Sequence, residues 1–280
     1  MAIEIASRIG TDIVSVDSMQ VYRGMDVGTA KPTIIERRGV VHHMIDVADP
    51  SEEFSVAEFQ SMGRRILEAS EKPVIVTGGS GLHFRALVDP MSFAPTDPDL
   101  RAELEESSPT SLRAELEEVD PQAGSHVDLS NTRRVVRAVE IYRLTGETPT
   151  RRATSAEARE LEKYVPALSF NAVGVDPGGG IDERIAHRLL EMRAGGLVEE
   201  VRGLRDRLGR TARSAVGYKE ILEYLEESVP LDQAFDNIER STRKLAKKQR
   251  TWFQRDPRIR WIPWIEDESE RADRAMEVLT

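Results

Sequence analysis

Three short apolar runs, Thr11 to Asp17 (TDIVSVD), Val41 to Val47 (VHHMIDV) and Pro73 to Thr77 (PVIVT), leave the first third of the chain few folds to choose from. Between the second and third runs lies an amphipathic stretch with Ser55 and Glu58 at capping-box spacing and Val56, Phe59, Ile66 and Leu67 near one face. Strand, helix and strand in this order predict a parallel sheet, whose strands are covered on both faces. Ahead of them, Ala2 to Ile9 carries Ile3, Ile5, Ala6 and Ile9 at helical spacing, with Gly10 as a stop signal. A helix packed on a parallel sheet normally follows a strand. The sequence therefore opens halfway through a βαβ unit, and the expectation is that its beginning lies upstream of Met1.

From Asp97 to about Tyr164 the pattern changes to amphipathic helices: DPDLRAELEE, TSLRAELEEVD, NTRRVVRAVEIYRLTG and TSAEARELEKY. This shift predicts a helical insertion over 97–165, splitting an α/β core into 1–96 and 166–280. Ala167 to Val175 (ALSFNAVGV) reads as a strand returning to the sheet, followed by two or three helices, IRWIPW and an acidic tail.

The 280 residues include no cysteine, which removes disulfides, thiolate metal sites and thiol nucleophiles together. No apolar run approaches the roughly 20 residues of a membrane span, and MAIEIASRIG carries acids where a signal peptide is basic and then apolar. The expected setting is the cytoplasm, with no membrane partner. With 39 basic and 49 acidic residues the net charge is −10, which argues against a generic nucleic-acid coat. Its distribution is uneven. Arg133, Arg134 and Arg137 share related helix faces, and RSTRKLAKKQRTWFQRD sets seven cations, Arg240 to Arg255, against Asp256 alone. Such a run serves equally as a solvated helix face or as a polyanion contact, with Trp252 and Phe253 available to stack on bases or fill the core.

Ligands of open parallel sheets bind beyond the carboxyl ends of the strands, which draws attention to Asp17-Ser18-Met19-Gln20. A carboxylate there can serve as general base toward an amine or hydroxyl, or simply cap the following turn. Gly78-Gly79-Ser80-Gly81 follows another strand and precedes LHFRALV, an arrangement that lets backbone amides approach an anion and that any tight turn also uses. His42 and His43 point to opposite faces of a strand and read as structural; five scattered histidines give no zinc site.

The stretch IVSVDSMQVYRGMDVGTAKP, Ile13 to Pro32, closely resembles the tRNA dimethylallyltransferases, also called tRNA isopentenyltransferases. Similar to the same family, and in its order, are HHMIDVADPSEEFS from His42, VIVTGGSGL from Val74, DPDLRAELE from Asp97, NTRRVVRAVEIYRLTGE from Asn131, RSAVGYKEILEYL from Arg213 and TRKLAKKQRTWFQRD from Thr242. The matches run through nearly the whole chain.

The resemblance implies a P-loop NTPase-like parallel-sheet core with a helical insertion, in the nucleotide-binding and ATP-binding class of folds. It implies transfer of a dimethylallyl group from dimethylallyl diphosphate to the N6 amine of the adenosine 3′-adjacent to the anticodon, the base being extruded into a tunnel. By position, Asp17 accepts the amine proton, while Ser18, Met19 and Gln20 help to hold the base. Ser80 and Arg101 contact the reacting groups and leaving diphosphate, where negative charge builds. Mg2+ is the implied cofactor, with no residue of this chain assigned as its ligand. The tRNA anticodon stem-loop is expected to meet Arg133, Arg134, Val135, Val136 and Arg137, then Arg213, Gly217 and Tyr218, then Lys247, Lys248, Gln249, Arg250, Thr251 and Trp252. The chain is expected to act as a monomer.

Two departures from the family pattern stand out. A G-x-T-x-x-G-K-[ST] loop belongs before the helix at Ala2, ahead of the sequence as it stands, and His83 occupies a position usually held by tyrosine. The first leaves a second reading, a tRNA-binding remnant without full activity. A third, a related transferase acting on free nucleotides, is opposed by the anticodon-contact motifs.

Overall fold

The computed structural model describes residues 1–279. Contacts divide the chain into one unit of Met1–Val88 with Leu168–Thr280 and a second of Asp89–Ala167. In the first unit, α1 (Ala2–Ile9), β1 (Ile13–Val16), β2 (His42–His43), α2 (Val56–Ala69), β3 (Ile75–Gly78) and α3 (Gly81–Val88) precede the insertion. The second unit holds α4 (Pro98–Glu106), α5 (Pro109–Val119), α6 (Thr132–Thr145), α7 (Pro149–Ala153) and α8 (Ala156–Glu162). The first unit then resumes with β4 (Ala172–Asp176), α9 (Ile181–Ala194), α10 (Leu197–Leu204), α11 (Arg210–Arg213), α12 (Tyr218–Leu225), α13 (Leu231–Phe253), β5 (Ile259–Pro263) and α14 (Glu268–Leu279). No described helix is long and apolar enough to cross a membrane.

The sheet is parallel, in the order β2-β1-β3, with Ile13 opposite His42 on one side and Ile75 on the other. All four residues of β1 are buried, as expected of a central strand covered on both faces. Phe59 of α2 and Leu87 of α3 are fully buried over it, each contributing about 2–3 kcal/mol through the area it removes from water. Ser55 and Glu58 form the expected capping box, and Gly10 ends α1 in the left-handed region at φ 66°.

Two strand expectations are corrected. The run Val41 to Val47 yields only His42 and His43, because Met44 and Asp46 turn to φ 63° and 58° and break the extended chain. That bend is held by buried Lys31, whose Nζ lies 2.6 Å from both Asp26 and Asp46 and 2.9 Å from the Tyr22 carbonyl oxygen. The strand predicted to rejoin the sheet, Ala167 to Val175, begins only at Ala172. It pairs in parallel with β5 as a separate two-stranded sheet, Ala172 opposite Ile259. The apolar pattern marks a strand but carries no information on its partner. The segment IRWIP is that partner, and the acidic tail folds as α14, whose Ala272 and Ala275 are buried with Ile5 of α1.

In the helical unit, α4, α5 and α6 surround Leu104, Leu112, Leu116 and Val139, all essentially inaccessible. Asn131 caps α6 through the Arg134 amide, and Gly146 ends it in the left-handed region.

A candidate active site at the carboxyl ends of β1 and β3

β1 ends at Val16, and its carbonyl accepts a hydrogen bond from the Ser80 amide at 3.2 Å, tying the glycine turn after β3 to the mouth of β1. The approach requires glycine at position 78: a Cβ there would fall 2.1 Å from the Val16 carbonyl oxygen, and the backbone sits at φ 155°. Opposite the turn, Asp17 Oδ1 accepts the amides of Met19 (2.8 Å) and Gln20 (3.2 Å). One carboxylate oxygen therefore fixes the turn. The other, Oδ2, has no hydrogen-bond partner among the described residues and stays available. The capping and general-base readings of Asp17 are compatible, each using a different oxygen.

Ser18 and Met19 are half-buried beside Asp17. The Gln20 amide is committed elsewhere: Oε1 accepts from Ser15 Oγ at 2.9 Å, and Nε2 donates to the Thr29 carbonyl at 3.2 Å. Gln20 thus braces the loop that follows β1.

Ser80 Oγ lies 2.6 Å from Nδ1 of His83, one turn along α3. The imidazole is buried and meets Phe59 edge-on, with centroids 4.7 Å apart. Burial pushes its pKa below the ordinary histidine value, against the pull of the Asp17 charge. Arg188, in the middle of α9, also senses Asp17. Burial lowers its pKa while the charges of Asp17 and Glu191 oppose the shift. The residue as a whole is nevertheless exposed, and it has no ion-pair partner within 4.0 Å among the described residues. Sequence reasoning missed Arg188. The one available signal was its i, i+4 spacing from Arg184, and Arg184 is itself used in stacking on Trp264 at 4.2 Å.

The end of α13 packs on the same turn. A Cβ on Gly79 would fall 2.4 Å from Gln249 Nε2, and one on Gly81 would fall 2.2 Å from Trp252 Cε3. Gln249 and Trp252, expected at the tRNA, therefore also form the wall behind Ser80. Lys247, Lys248 and Thr251 are exposed, and neither lysine has an ion-pair partner among the described residues. The basic run is less unopposed than its sequence suggests. Arg250 pairs with Asp176 at 2.8 Å, and Arg243 bonds Asp182 (2.9 Å) and Glu239 (2.6 Å).

Several other expected contact residues have internal roles. Tyr218 is fully buried, and its hydroxyl donates to Glu200, which raises the phenol pKa together with burial. Glu200 in turn accepts the amides of Asp26, Val27 and Gly28 at 2.9, 2.7 and 3.0 Å, holding the loop after β1. Gly217 is buried at φ 96° and donates its amide to Glu220 at 2.9 Å; Arg213 is exposed and pairs with Glu226 at 2.5 Å. Tyr218 and Gly217, expected at the tRNA, therefore lie inside the fold beside the loop after β1.

In the helical unit, Val135 and Val136, expected at the tRNA, are part of the core. Arg133 and Arg134 are exposed. Arg101 and Arg137 converge on Glu140, at 2.5 and 2.7 Å. The Glu140 carboxylate is inaccessible to solvent. Burial alone would raise its pKa, but Arg101, Arg137 and the Asp97 amide outweigh that and bring it below the ordinary value. Arg101 is therefore already engaged through Nη2, by an acid that sequence reasoning did not single out.

No group of three or more His, Asp or Glu side chains among the described residues can hold a metal ion. Mg2+ is commonly held by one or two carboxylates together with substrate phosphates, and Asp17 Oδ2 is an acidic oxygen at the end of β1 with no hydrogen-bond partner among the described residues.

A parallel α/β core whose strand ends present a carboxylate and a hydroxyl, interrupted by a helical insertion, is the architecture of a P-loop NTPase-like transferase. The model of the IPP transferase family matches residues 20–256, and the chain belongs to that family. It is 40% identical to a tRNA dimethylallyltransferase of Bifidobacterium animalis subsp. lactis, covering 100% of this chain and 82% of the relative. It is also 40% identical to a tRNA dimethylallyltransferase of Thermobifida fusca, covering 96% and 84%. Among solved structures, the tRNA isopentenylpyrophosphate transferase of Bacillus halodurans is similar with a TM-score of 0.69 and 33% identity, covering 99% of this chain and 88% of that one. A eukaryotic dimethylallyltransferase acting on tRNA shares the fold, with a TM-score of 0.77 at 23% identity.

Proposed function

We propose that the chain transfers a dimethylallyl group from dimethylallyl diphosphate to the N6 amine of the adenosine 3′-adjacent to the anticodon of tRNA. The observation that carries this reading is the division of labour within Asp17: Oδ1 is locked by two backbone amides, and Oδ2 is left free at the strand end. In the reaction the N6–C1 bond forms, the C1–O bond to diphosphate breaks, and the amine proton passes to Asp17 Oδ2. The Ser80 hydroxyl and the Arg188 guanidinium are assigned to the departing diphosphate, where preorganised donors stabilise charge that develops in the transition state. Arg101 is assigned a diphosphate contact by resemblance alone. The anticodon stem-loop is assigned to exposed Lys247, Lys248 and Thr251 and, in the helical unit, to Arg133 and Arg134. Mg2+ is proposed to travel on the diphosphate oxygens with no ligand set in this chain, so no step is routed through it. A cytoplasmic monomer completes the proposal.

The test is incorporation of labelled dimethylallyl into transcribed tRNA, with the product nucleoside identified by mass. Prenylated adenosine at the anticodon-adjacent position is the expected result. Salt-sensitive tRNA binding with no incorporation would replace the reading by that of a binding remnant, and transfer to AMP in preference to tRNA would replace it by a free-nucleotide transferase.

A further inference from the structure

We propose that Glu200 of α10 is a positioning residue for Asp17: it clamps the loop after β1, so that Gln20, which spans loop and strand, keeps its backbone amide on Asp17 Oδ1 and leaves Oδ2 in place for the substrate amine. The inference rests on the reading of Asp17 as the proton acceptor and adds what steadies that carboxylate from outside its own turn.

An ionised carboxylate has two oxygens with about four lone-pair sites and donates nothing. Glu200 fills its sites in pairs. Oε2 accepts the amides of Asp26 and Val27 at 2.9 and 2.7 Å, and Oε1 accepts the Gly28 amide at 3.0 Å together with the Tyr218 hydroxyl. None of these donors is a lysine or arginine, so the contact is a clamp on three successive backbone amides and not a surface ion pair. Tyr218 closes the clamp. Its ring lies so near Gly28 that a Cβ there would fall 2.5 Å from Cε2.

The clamped loop leads directly into the atoms that hold Gln20. The carbonyl oxygens of the next two residues, Thr29 and Ala30, accept from Gln20 Nε2 at 3.2 and 3.4 Å, while Gln20 Oε1 accepts from Ser15 Oγ, on β1, at 2.9 Å. Two carbonyl oxygens on one side fix the orientation of the amide, because its NH2 end alone can donate to them. Thr29 is 8% exposed, and its hydroxyl donates to the Met25 carbonyl oxygen at 2.6 Å, which ties the segment into one turn. The backbone amide of the same Gln20 is one of the two that hold Asp17 Oδ1. A continuous series of bonds therefore runs from α10 through the loop and Gln20 to Asp17. Lys31 anchors the loop as well, through Asp26, Asp46 and the Tyr22 carbonyl oxygen, all in the first third of the chain. Glu200 and Tyr218 bring the support from α10 and α12. Misplacing a catalytic group by about 1 Å can cost on the order of 100-fold in rate, so slack at this distance is felt at the reacting atoms.

Two measurements test this. Amide hydrogen exchange in the free protein reads the coupling without any activity. Glu200→Gln turns one acceptor oxygen into an NH2 that faces two donors, and is expected to speed exchange of the Met19 and Gln20 amides about tenfold while those of β4 keep their wild-type rates. Unchanged protection at Met19 and Gln20, or an acceleration shared equally by β4, overturns the proposal. Single-turnover transfer reads the role. Glu200→Gln is expected to lower the rate about 30-fold with the Kd for tRNA within about threefold, and Tyr218→Phe, which removes one of the four bonds, to lower it about threefold. In an Asp17→Asn background, where the acceptor is already gone, neither substitution slows transfer further. Losses that add in that background show a structural effect elsewhere and overturn the proposal. If Glu200→Gln does not fold, Tyr218→Phe carries both measurements and the same outcomes decide. If the wild type fails to prenylate tRNA while exchange at Met19 and Gln20 responds as expected, the assignment of function falls and the coupling of Glu200 to the Asp17 turn stands.

Discussion

Trp252 lies so close over Gly81 that a Cβ on the glycine would come within 2.2 Å of the indole Cε3 atom. The glycine turn is therefore spaced by contact with α13 as well as by its own backbone. Gly81→Ala must displace a ring packed against Phe253, whose centroid is 5.4 Å away, and is expected to cost about 1–3 kcal/mol. Gly79→Ala meets the end of the flexible Gln249 side chain and should cost less. Paired denaturant titrations check the order; equal stability of both variants and wild type would remove the argument for close packing.

Glu140 ties Arg101 and Arg137 together inside the helical unit. Its folded pKa is depressed, so its contribution to stability is present above the unfolded carboxylate value of about 4.3 and is lost as the pH falls through the folded pKa. Both arginines are about one-third exposed, at 34% and 30%, which screens the interaction, so Glu140→Gln is expected to cost about 1–3 kcal/mol at pH 7. Melting curves from pH 3 to 7 should converge for the two proteins on the acid side. A constant gap across that range would contradict the assignment.

Lys247 and Lys248, near the end of α13, have no ion-pair partner among the described residues, whereas Arg250 is opposed by Asp176. Lys247→Ala and Lys248→Ala should each weaken tRNA binding and reduce the slope of log K against log salt by about 1. Arg250→Ala should change the slope less. Filter binding across a salt series reads both quantities.

Arg188 is expected to act on the diphosphate rather than on tRNA. Arg188→Gln should lower kcat/KM for dimethylallyl diphosphate about 100-fold and leave the Kd for tRNA within about threefold. A selective loss of tRNA affinity would reverse that assignment.

The legible parts of the molecule were those set by local chemistry. The capping box at Ser55 and Glu58, the stop at Gly10 and the β-branched run into Asp17 are each decided by a few neighbouring residues. Long-range relationships were hidden. Nothing local in ALSFNAVGV shows that its strand pairs with residues near Ile259, and nothing in VHHMIDV reveals that Lys31 holds Asp46 where Met44 and Asp46 leave the extended region. The same limit explains the site. The burial of Tyr218 and Val135 is a property of the assembled core, and Arg188 comes within the electrostatic reach of Asp17 from a helix more than 160 residues further along the chain.

The most direct measurement is single-turnover transfer by Asp17→Asn at saturating tRNA and dimethylallyl diphosphate. Asparagine keeps an oxygen able to accept the Met19 and Gln20 amides and replaces the basic Oδ2 by an amide nitrogen, so the turn survives while the proton acceptor is lost. The account predicts a rate lowered by about 10² to 10⁴ with tRNA affinity within about threefold of wild type. A variant that prenylates tRNA at close to the wild-type rate would contradict it.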